Sequence, residues 1–252
     1  MLPAERKRRI VEIVTEQGGQ SVDELATRLD VSKATVRRDL SDLEERGLVE
    51  RSHGGAVPVM SVGGEQTYDQ REVQNLDAKR AIAARAAEEI RDGAVVFFDS
   101  GTTTMEVARA APKDGSFLAV TNSPRLAVEL GKEENDVKLT GGTLRRRTRA
   151  LVGPTAESFM ERMHFDLLFL GTNAISDDGS LTTPNEDEAR MKELMVERSN
   201  RVVLVSDTSK LSKQSFVEFA HLDDVDMFVT DAPIADDAEL FEASDVLVVS
   251  AD

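Results

Sequence analysis

Ser32-Lys33-Ala34-Thr35-Val36-Arg37-Arg38-Asp39-Leu40 is the stretch on which the reading of this chain turns. Stepping about 100° per residue from Val36, Leu40 falls near +40° and Leu43 near −20°, a narrow apolar stripe along one side of a helix. Ala34, Arg37, Arg38 and Ser41 fall on the opposite side, with Thr35 on the flank. Ser32 is a natural helix cap. A helix anchored through Val36, Leu40 and Leu43 therefore offers small residues, hydroxyls and two guanidiniums outward. An arginine fork suits guanine O6 and N7 or phosphate oxygens, and an alanine methyl can meet a thymine methyl.

The flanks sharpen this. Pro3 suits a helix start, Ile10, Val11 and Val14 mark its apolar side, and Gly18-Gly19 ends it. Ser21-Val22-Asp23-Glu24 is a capping box opening a second helix with Leu25, Ala26 and Leu29 turned inward. Leu29-Asp30-Val31-Ser32 then turns into the reading helix, which Gly47 is placed to end. Leu48-Val49-Glu50-Arg51 and Ser52-His53-Gly54-Gly55-Ala56-Val57 read as two extended segments about a Gly-Gly bend, a wing whose Arg51 and His53 can reach a phosphate or minor groove. The run from Ser21 to Ala56 closely resembles the winged helix-turn-helix of DeoR-type repressors, with helix, turn and wing residues agreeing in order and spacing. The predicted DNA-facing residues are Ser32, Lys33, Ala34, Thr35, Arg37, Arg38, Ser41, Arg51 and His53.

The net charge of −16 looks wrong for a partner of DNA. Its distribution resolves the conflict: residues 1–56 carry a net −1, and the remainder carries −15. Lysine is also scarce beside arginine, nine against twenty-two, as in proteins adapted to multimolar salt. Counterion release drives binding weakly in such salt, so base contacts and shape must carry more of the affinity. Without cysteine there is no disulfide or thiolate chemistry. His53, His164 and His221 are scattered without ligand spacing, so no metal and no cofactor are expected. No apolar run approaches a membrane span or signal core, and a cytoplasmic protein is expected.

Composition divides the chain into a DNA-binding domain at 1–57, a linker rich in Pro, Gly and polar residues at 58–75, and a body at 76–252. In the linker, Tyr68 reads as a packing residue at the domain junction. In the body, continuous apolar strands at 94–98, 117–120, 137–139, 167–170, 202–205, 227–229 and 246–249 alternate with helical segments near 105–111, 124–131, 154–163, 187–199 and 236–241. This is the pattern of an α/β layer around a largely parallel sheet, whose ligands bind beyond the strand C-termini. The polar residues gather there. Asp99-Ser100-Gly101-Thr102-Thr103-Thr104 runs from the first strand into a helix, and its hydroxyls and free amides can ring an anion. Asn122, Gly141-Gly142, and Asp207 with Lys210 follow later strands, while Glu186 and Glu188 open the helix that carries Lys192. These residues are expected to converge on one cleft: phosphate at the hydroxyl loop, a polyol facing Asn122, Asp207 and the carboxylates, and Lys192 or Lys210 neutralising charge. The run Arg145-Arg146-Arg147-Thr148-Arg149 reads as a lid or a plain loop in preference to a second DNA contact.

The body also resembles the DeoR-type effector domain through Asp99-Ser100-Gly101-Thr102-Thr103, Thr121-Asn122, Gly141-Gly142, Val152-Gly153-Pro154 and Asp207-x-x-Lys210. That resemblance implies a sugar-phosphate-isomerase-like fold that senses phosphorylated sugars, in a repressor of sugar or glycerol catabolic genes. It also implies a homodimer or homotetramer on a double-stranded operator. The competing class is an isomerase or deaminase with an appended DNA-binding domain, in which Asp207 and Glu186 would act as acid and base. Against it, Gly171-Thr172-Asn173 stands where isomerases carry an Asp-Gly-Ala-Asp-Glu cluster.

Overall fold

The computed structural model describes residues 2–17, 19–52, 54–57, 65–234, 240–241, 244 and 246–251. The chain forms two compact units, Met1–Leu76 and Asp77–Asp252.

The first unit runs α1 (Pro3–Glu16), β1 (Gln20–Ser21), α2 (Val22–Leu29), α3 (Lys33–Glu45), β2 (Glu50–Ser52), β3 (Gly55–Val57) and α4 (Tyr68–Val73). The Ser21 hydroxyl accepts from the Glu24 amide at 3.2 Å, and the Ser21 amide donates to the Glu24 carboxylate at 3.3 Å, completing the predicted capping box. Asp30 takes the left-handed conformation that breaks α2, and Ser32 starts α3 by accepting from the Thr35 amide at 3.1 Å. Gly47, at φ +66°, lets the Leu48 amide turn back to the Leu43 carbonyl at 2.8 Å and stops α3. Ile10, Val14, Leu25, Val36, Leu40, Leu43 and Ala56 close a common core. The wing is an antiparallel sheet in the order β1-β3-β2. Gly55 is required in it, because a Cβ there would lie 2.2 Å from the Gln20 carbonyl oxygen. Part of the stretch read as linker is instead structured. Thr67 and Gln70 cap α4 reciprocally, Tyr68 is buried, and the Gln70 amide donates to the Gly47 carbonyl at 2.8 Å. Residues 58–64 of that stretch lie outside the described residues.

The second unit contains α5 (Leu76–Ala87), β4 (Val95–Phe98), α6 (Thr102–Ala110), β5 (Leu118–Thr121), α7 (Pro124–Leu130), β6 (Val137–Leu139), β7 (Thr143–Leu144), β8 (Leu151–Val152) and α8 (Pro154–Met160). It continues through β9 (Leu167–Leu170), β10 (Ala174–Ile175), β11 (Ser180–Thr183), α9 (Glu186–Glu197), β12 (Val202–Val205), β13 (Val217–His221), β14 (Met227–Thr230) and β15 (Leu247–Ser250). Seven of these strands form one parallel sheet in the order β15-β14-β12-β9-β4-β5-β6. Successive side chains of a strand serve opposite faces: Val96, Phe98, Leu167 and Phe169 pack under α5, α6 and α7, while Phe97, Leu168 and Leu170 pack with α8 and α9. Burial on both faces is why these strands read as unbroken apolar runs.

The order of the strands fixes where a ligand can sit. From β4 the chain first builds outward through β5 and β6, then crosses to the other side of β4 with β9. Helices of such a sheet diverge at the reversal, which makes the region beyond the ends of β4 and β9 the candidate crevice. Two features depart from the sequence reading. The helix expected from Met105 begins three residues earlier, so Thr102, Thr103 and Thr104 form its first turn. A small antiparallel sheet, β10-β11-β13, also stands apart from the main one. None of its strands is a continuous apolar run: β10 has two residues, β11 is Ser-Leu-Thr-Thr, and β13 carries Glu218 and His221. Residues 236–239 of the last predicted helix lie outside the described residues.

Candidate functional site

On α3 the buried side is Val36, Leu40 and Leu43, as the helical wheel requires, joined by Asp39. Lys33, Ala34, Arg37, Arg38 and Ser41 are exposed, and Thr35 is half-buried. Among the described residues Arg37 and Arg38 make no ion pair. Other members of the predicted face are occupied. The Ser32 and Thr35 hydroxyls bond each other at 2.9 Å at the cap, and Lys33 pairs with Asp23 at 2.7 Å. Arg51 of the wing donates from Nη1 to the Ser41 hydroxyl at 3.0 Å, which ties β2 to α3. His53 lies outside the described residues.

The reading helix is held from behind by ion pairs that the sequence did not announce. Arg6 of α1 grips Asp39 through Nε at 2.6 Å and Nη2 at 3.4 Å. Lys7 pairs with Asp42 at 2.7 Å, and that hydrogen bond holds the Asp42 carboxyl below its ordinary pKa. The exposed side of α3, a ridge available to a partner, therefore carries two guanidiniums that make no ion pair among the described residues. If that ridge docks in a major groove, Arg38→Ala is expected to cost on the order of 1–3 kcal/mol in operator binding while leaving the melting temperature nearly unchanged. Fluorescence anisotropy with labelled operator would measure it, and unchanged affinity would put the docking face elsewhere.

In the second unit the strand-end residues gather at the crevice. The Asp99 carboxylate accepts from the Ser100 amide at 2.7 Å and from the Gly171 amide at 3.1 Å, joining the ends of β4 and β9. Lys192, reaching in from α9, pairs with Asp99 and donates to the Gly171 carbonyl at 2.8 Å. Its ammonium also stands 5.3 Å from the Phe219 ring centroid. Both members of the pair are buried. Lys192 was expected to neutralise a ligand; in the structure its charge is committed to bracing the crevice instead.

The first turn of α6 is different. Its cap, Gly101, has no side chain to satisfy the opening amides. Thr104 is fully buried and its hydroxyl donates to the Asp99 carbonyl at 2.6 Å, so it shapes the loop and does not face a ligand as expected. The hydroxyls of Ser100, Thr102 and Thr103 have no hydrogen-bond partner among the described residues. Nearby in the sheet, at the end of β5, Asn122 is 2% exposed and its side-chain oxygen is buried without a partner. Leaving such an oxygen unpaired is costly, which makes the end of β5 a candidate ligand contact.

The remaining predicted residues divide. Asp207 caps a short 3-10 turn, Thr208–Lys210, by accepting from the Ser209 amide at 3.2 Å, and Lys210 closes that turn. Gly141 and Gly142 have positive φ, and a Cβ on Gly142 would lie 2.6 Å from the Val152 carbonyl oxygen. Backbone geometry alone explains both glycines. Glu186 is exposed at the start of α9, and the buried carboxylate of that turn is Glu188. Glu188 accepts from Arg145 at 3.0 Å and from the Thr148 hydroxyl. Glu188 was expected to face a polyol beside Glu186, and its carboxylate is instead engaged by Arg145 and Thr148. Thr148 had no expected site role, and the signal available was its place in the basic run with Arg145.

Two family comparisons bear on this geometry. Residues 6–62 match the DeoR-like helix-turn-helix domain, and residues 74–232 match the DeoR C terminal sensor domain. The chain belongs to the DeoR family. Among its DeoR-type relatives, the HTH-type transcriptional regulator GlpR of Haloferax volcanii is 69% identical over 250 residues, covering 99% of this chain and 98% of that one. The glycerol-3-phosphate regulon repressor of Escherichia coli is 36% identical over 234 residues, covering 92% of each. Ribose 5-phosphate isomerase of Methanocaldococcus jannaschii is a distant structural neighbour, at 16% identity and a TM-score of 0.40, over 54% of this chain and 55% of that one.

As a DeoR-family member the protein is a transcriptional regulator and not an enzyme. Relatives that match it over nine-tenths of its length carry regulator or repressor names. Among the described residues no group of three or more His, Cys, Asp or Glu is arranged to hold a metal ion. No described helix is long and apolar enough to cross a membrane.

Proposed function

We propose that this regulator is a cytoplasmic repressor of sugar or glycerol catabolic genes, released from its operator by a phosphorylated sugar. The observation that carries the sensing half is the uncapped first turn of α6, with three unbonded hydroxyls beside it and the orphaned Asn122 amide at the neighbouring strand end. A helix N-terminus with free amides favours an anion, and added hydroxyl donors favour the three oxygens of a phosphate. The phosphate sits on Ser100, Gly101, Thr102 and Thr103, and the polyol chain extends toward Asn122 and Asp207, with Lys210 supplying charge. Asp99 and Lys192 keep the two strand ends in register beneath it.

On the DNA side, a homodimer or homotetramer presents two α3 helices to a palindromic operator with half-sites about one helical turn apart. The ligand releases DNA only by binding the DNA-incompetent state more tightly than the competent one. The acidic, lysine-poor surface and the Haloferax volcanii relative support operation in multimolar salt.

The test is titration of the operator complex with a panel of sugar phosphates, read by anisotropy. Thr102→Val and Asn122→Ala are each expected to raise the ester concentration needed for release roughly tenfold, the first by losing a hydrogen bond to the charged phosphate and the second by losing one from a polyol hydroxyl. Operator affinity without ester should not change. If no ester displaces the wild-type protein at millimolar concentration, the sensing reading falls. If the variants unfold, both side chains serve the fold.

A further inference from the structure

We infer that Arg145 is an anion-operated latch: without ligand it is clasped by Glu188, and a phosphate ester in the crevice takes it over. The inference rests on the proposed sensing role and adds to it the residue that selects a phosphate ester over a neutral polyol.

Arg145 lies just beyond β7 in the hairpin that returns through β8, and that hairpin is docked at both ends. On one side, the Leu151 amide donates to the Asn122 carbonyl at 2.7 Å, so the returning strand lies along the residue whose side-chain oxygen is orphaned. On the other, Arg145 Nη1 and the Thr148 hydroxyl both converge on one Glu188 oxygen, the arginine at 3.0 Å. Glu188 stands one helical turn before Lys192 on α9, on the same face. Lys192 in turn braces Asp99, which leads into Ser100 and the first turn of α6. The hairpin thus spans from the floor of the crevice to the helix beside it. Between the two docking points the loop is closed on itself, with the Arg145 amide donating to the Ala150 carbonyl at 2.7 Å and the Arg149 amide to the Arg145 carbonyl at 2.8 Å. A loop stiffened this way moves as one piece when its side-chain anchor is exchanged.

The chemistry of the anchor sets what can exchange it. The side chain of Glu188 is 8% exposed and that of Arg145 is 21% exposed, so the pair is largely withdrawn from water. A neutral hydroxyl offers too little to draw a guanidinium from a shielded carboxylate. A phosphate ester offers up to two charges and oxygens spaced for the arginine fork. Glu188 then keeps only the Thr148 bond among its two anchors here, and that loss sets the threshold the ligand must exceed.

Isothermal titration of the full-length protein with inorganic phosphate, with ribose 5-phosphate, and with glycerol as a neutral control would test the latch. Wild type is expected to bind both phosphates and not glycerol. Glu188→Gln removes the competing charge while keeping the shape, and should bind phosphate roughly fivefold tighter; Arg145→Gln should bind roughly tenfold weaker. The double variant should match Arg145→Gln, because no arginine remains to be released. Equal or weaker binding by Glu188→Gln, with wild type binding normally, overturns the latch and leaves the sensing proposal standing. If wild type binds neither phosphate, both fall together. Should a variant fail to fold, amide exchange on wild type decides: phosphate must change protection at Arg145, Arg149 or Leu151, and unchanged protection at all three overturns the latch.

Discussion

Lys192→Met is expected to lower the stability of the second unit by about 3–5 kcal/mol, the usual cost of stranding one member of a buried ion pair. Methionine fills much the same space as the lysine stem, so the loss is chiefly electrostatic and includes the ammonium over the Phe219 ring. What remains is Asp99, 2% exposed, with only the Ser100 and Gly171 amides among the described residues to hold its charge. The Gly171 carbonyl loses a donor as well. Because Asp99 and Gly171 end the two strands at the reversal of the sheet, the damage falls on the crevice itself. Combining the change with Asp99→Asn removes the stranded charge and should recover a good part of the loss. Urea unfolding of the three variants would measure this. A single variant within about 1 kcal/mol of wild type would mean the pair contributes little net stability, as some buried pairs do.

Asp39→Ala is expected to destabilise the first unit by about 2–3 kcal/mol and to weaken operator binding besides. The cost is set below that for Lys192 because the Arg6 side chain is 13% exposed and can turn toward water once its partner is gone. The effect on DNA is indirect. Asp39 faces inward, and its bidentate bond to Arg6 fixes the roll of α3 against α1, and with it the direction in which Arg37 and Arg38 point. The contrast with Arg38→Ala is the informative part. One residue along the same helix, the neighbour should lose affinity with little change in melting, whereas Asp39→Ala should lose both. Calorimetric melting alongside anisotropy would separate them, and an Asp39 variant with wild-type melting would show that the Arg6–Asp39 pair does not hold α3 against α1.

The sequence alone determined whatever depends on neighbours within a turn or a strand. The wheel about Val36 predicts which side of α3 is buried, because helical periodicity is local. The Ser21 capping box, the Ser32 cap and the stop at Gly47 follow from single side chains and a single φ. The seven apolar runs of the body predict the seven strands of the parallel sheet, since strands buried on both faces must be apolar throughout. The hydroxyl-rich run after β4 likewise marks a strand-to-helix junction suited to an anion.

Tertiary structure decided everything that depends on residues distant in the chain. That Lys192 braces Asp99, 93 residues away, cannot be read from either residue's neighbours. The same holds for Arg6 with Asp39 and for Arg145 with Glu188, whose pairing turns an apparently plain basic run into a docked hairpin. Thr104 shows the limit most simply. Four adjacent residues, Ser100 and Thr102 to Thr104 about Gly101, offer the same hydroxyl chemistry on paper. The helix begins at Thr102, and its 100° step turns Thr104 back onto the Asp99 carbonyl while the others stay unbonded. Composition supplies the donors; only the direction of each Cα–Cβ bond in the folded chain decides which of them the protein itself uses.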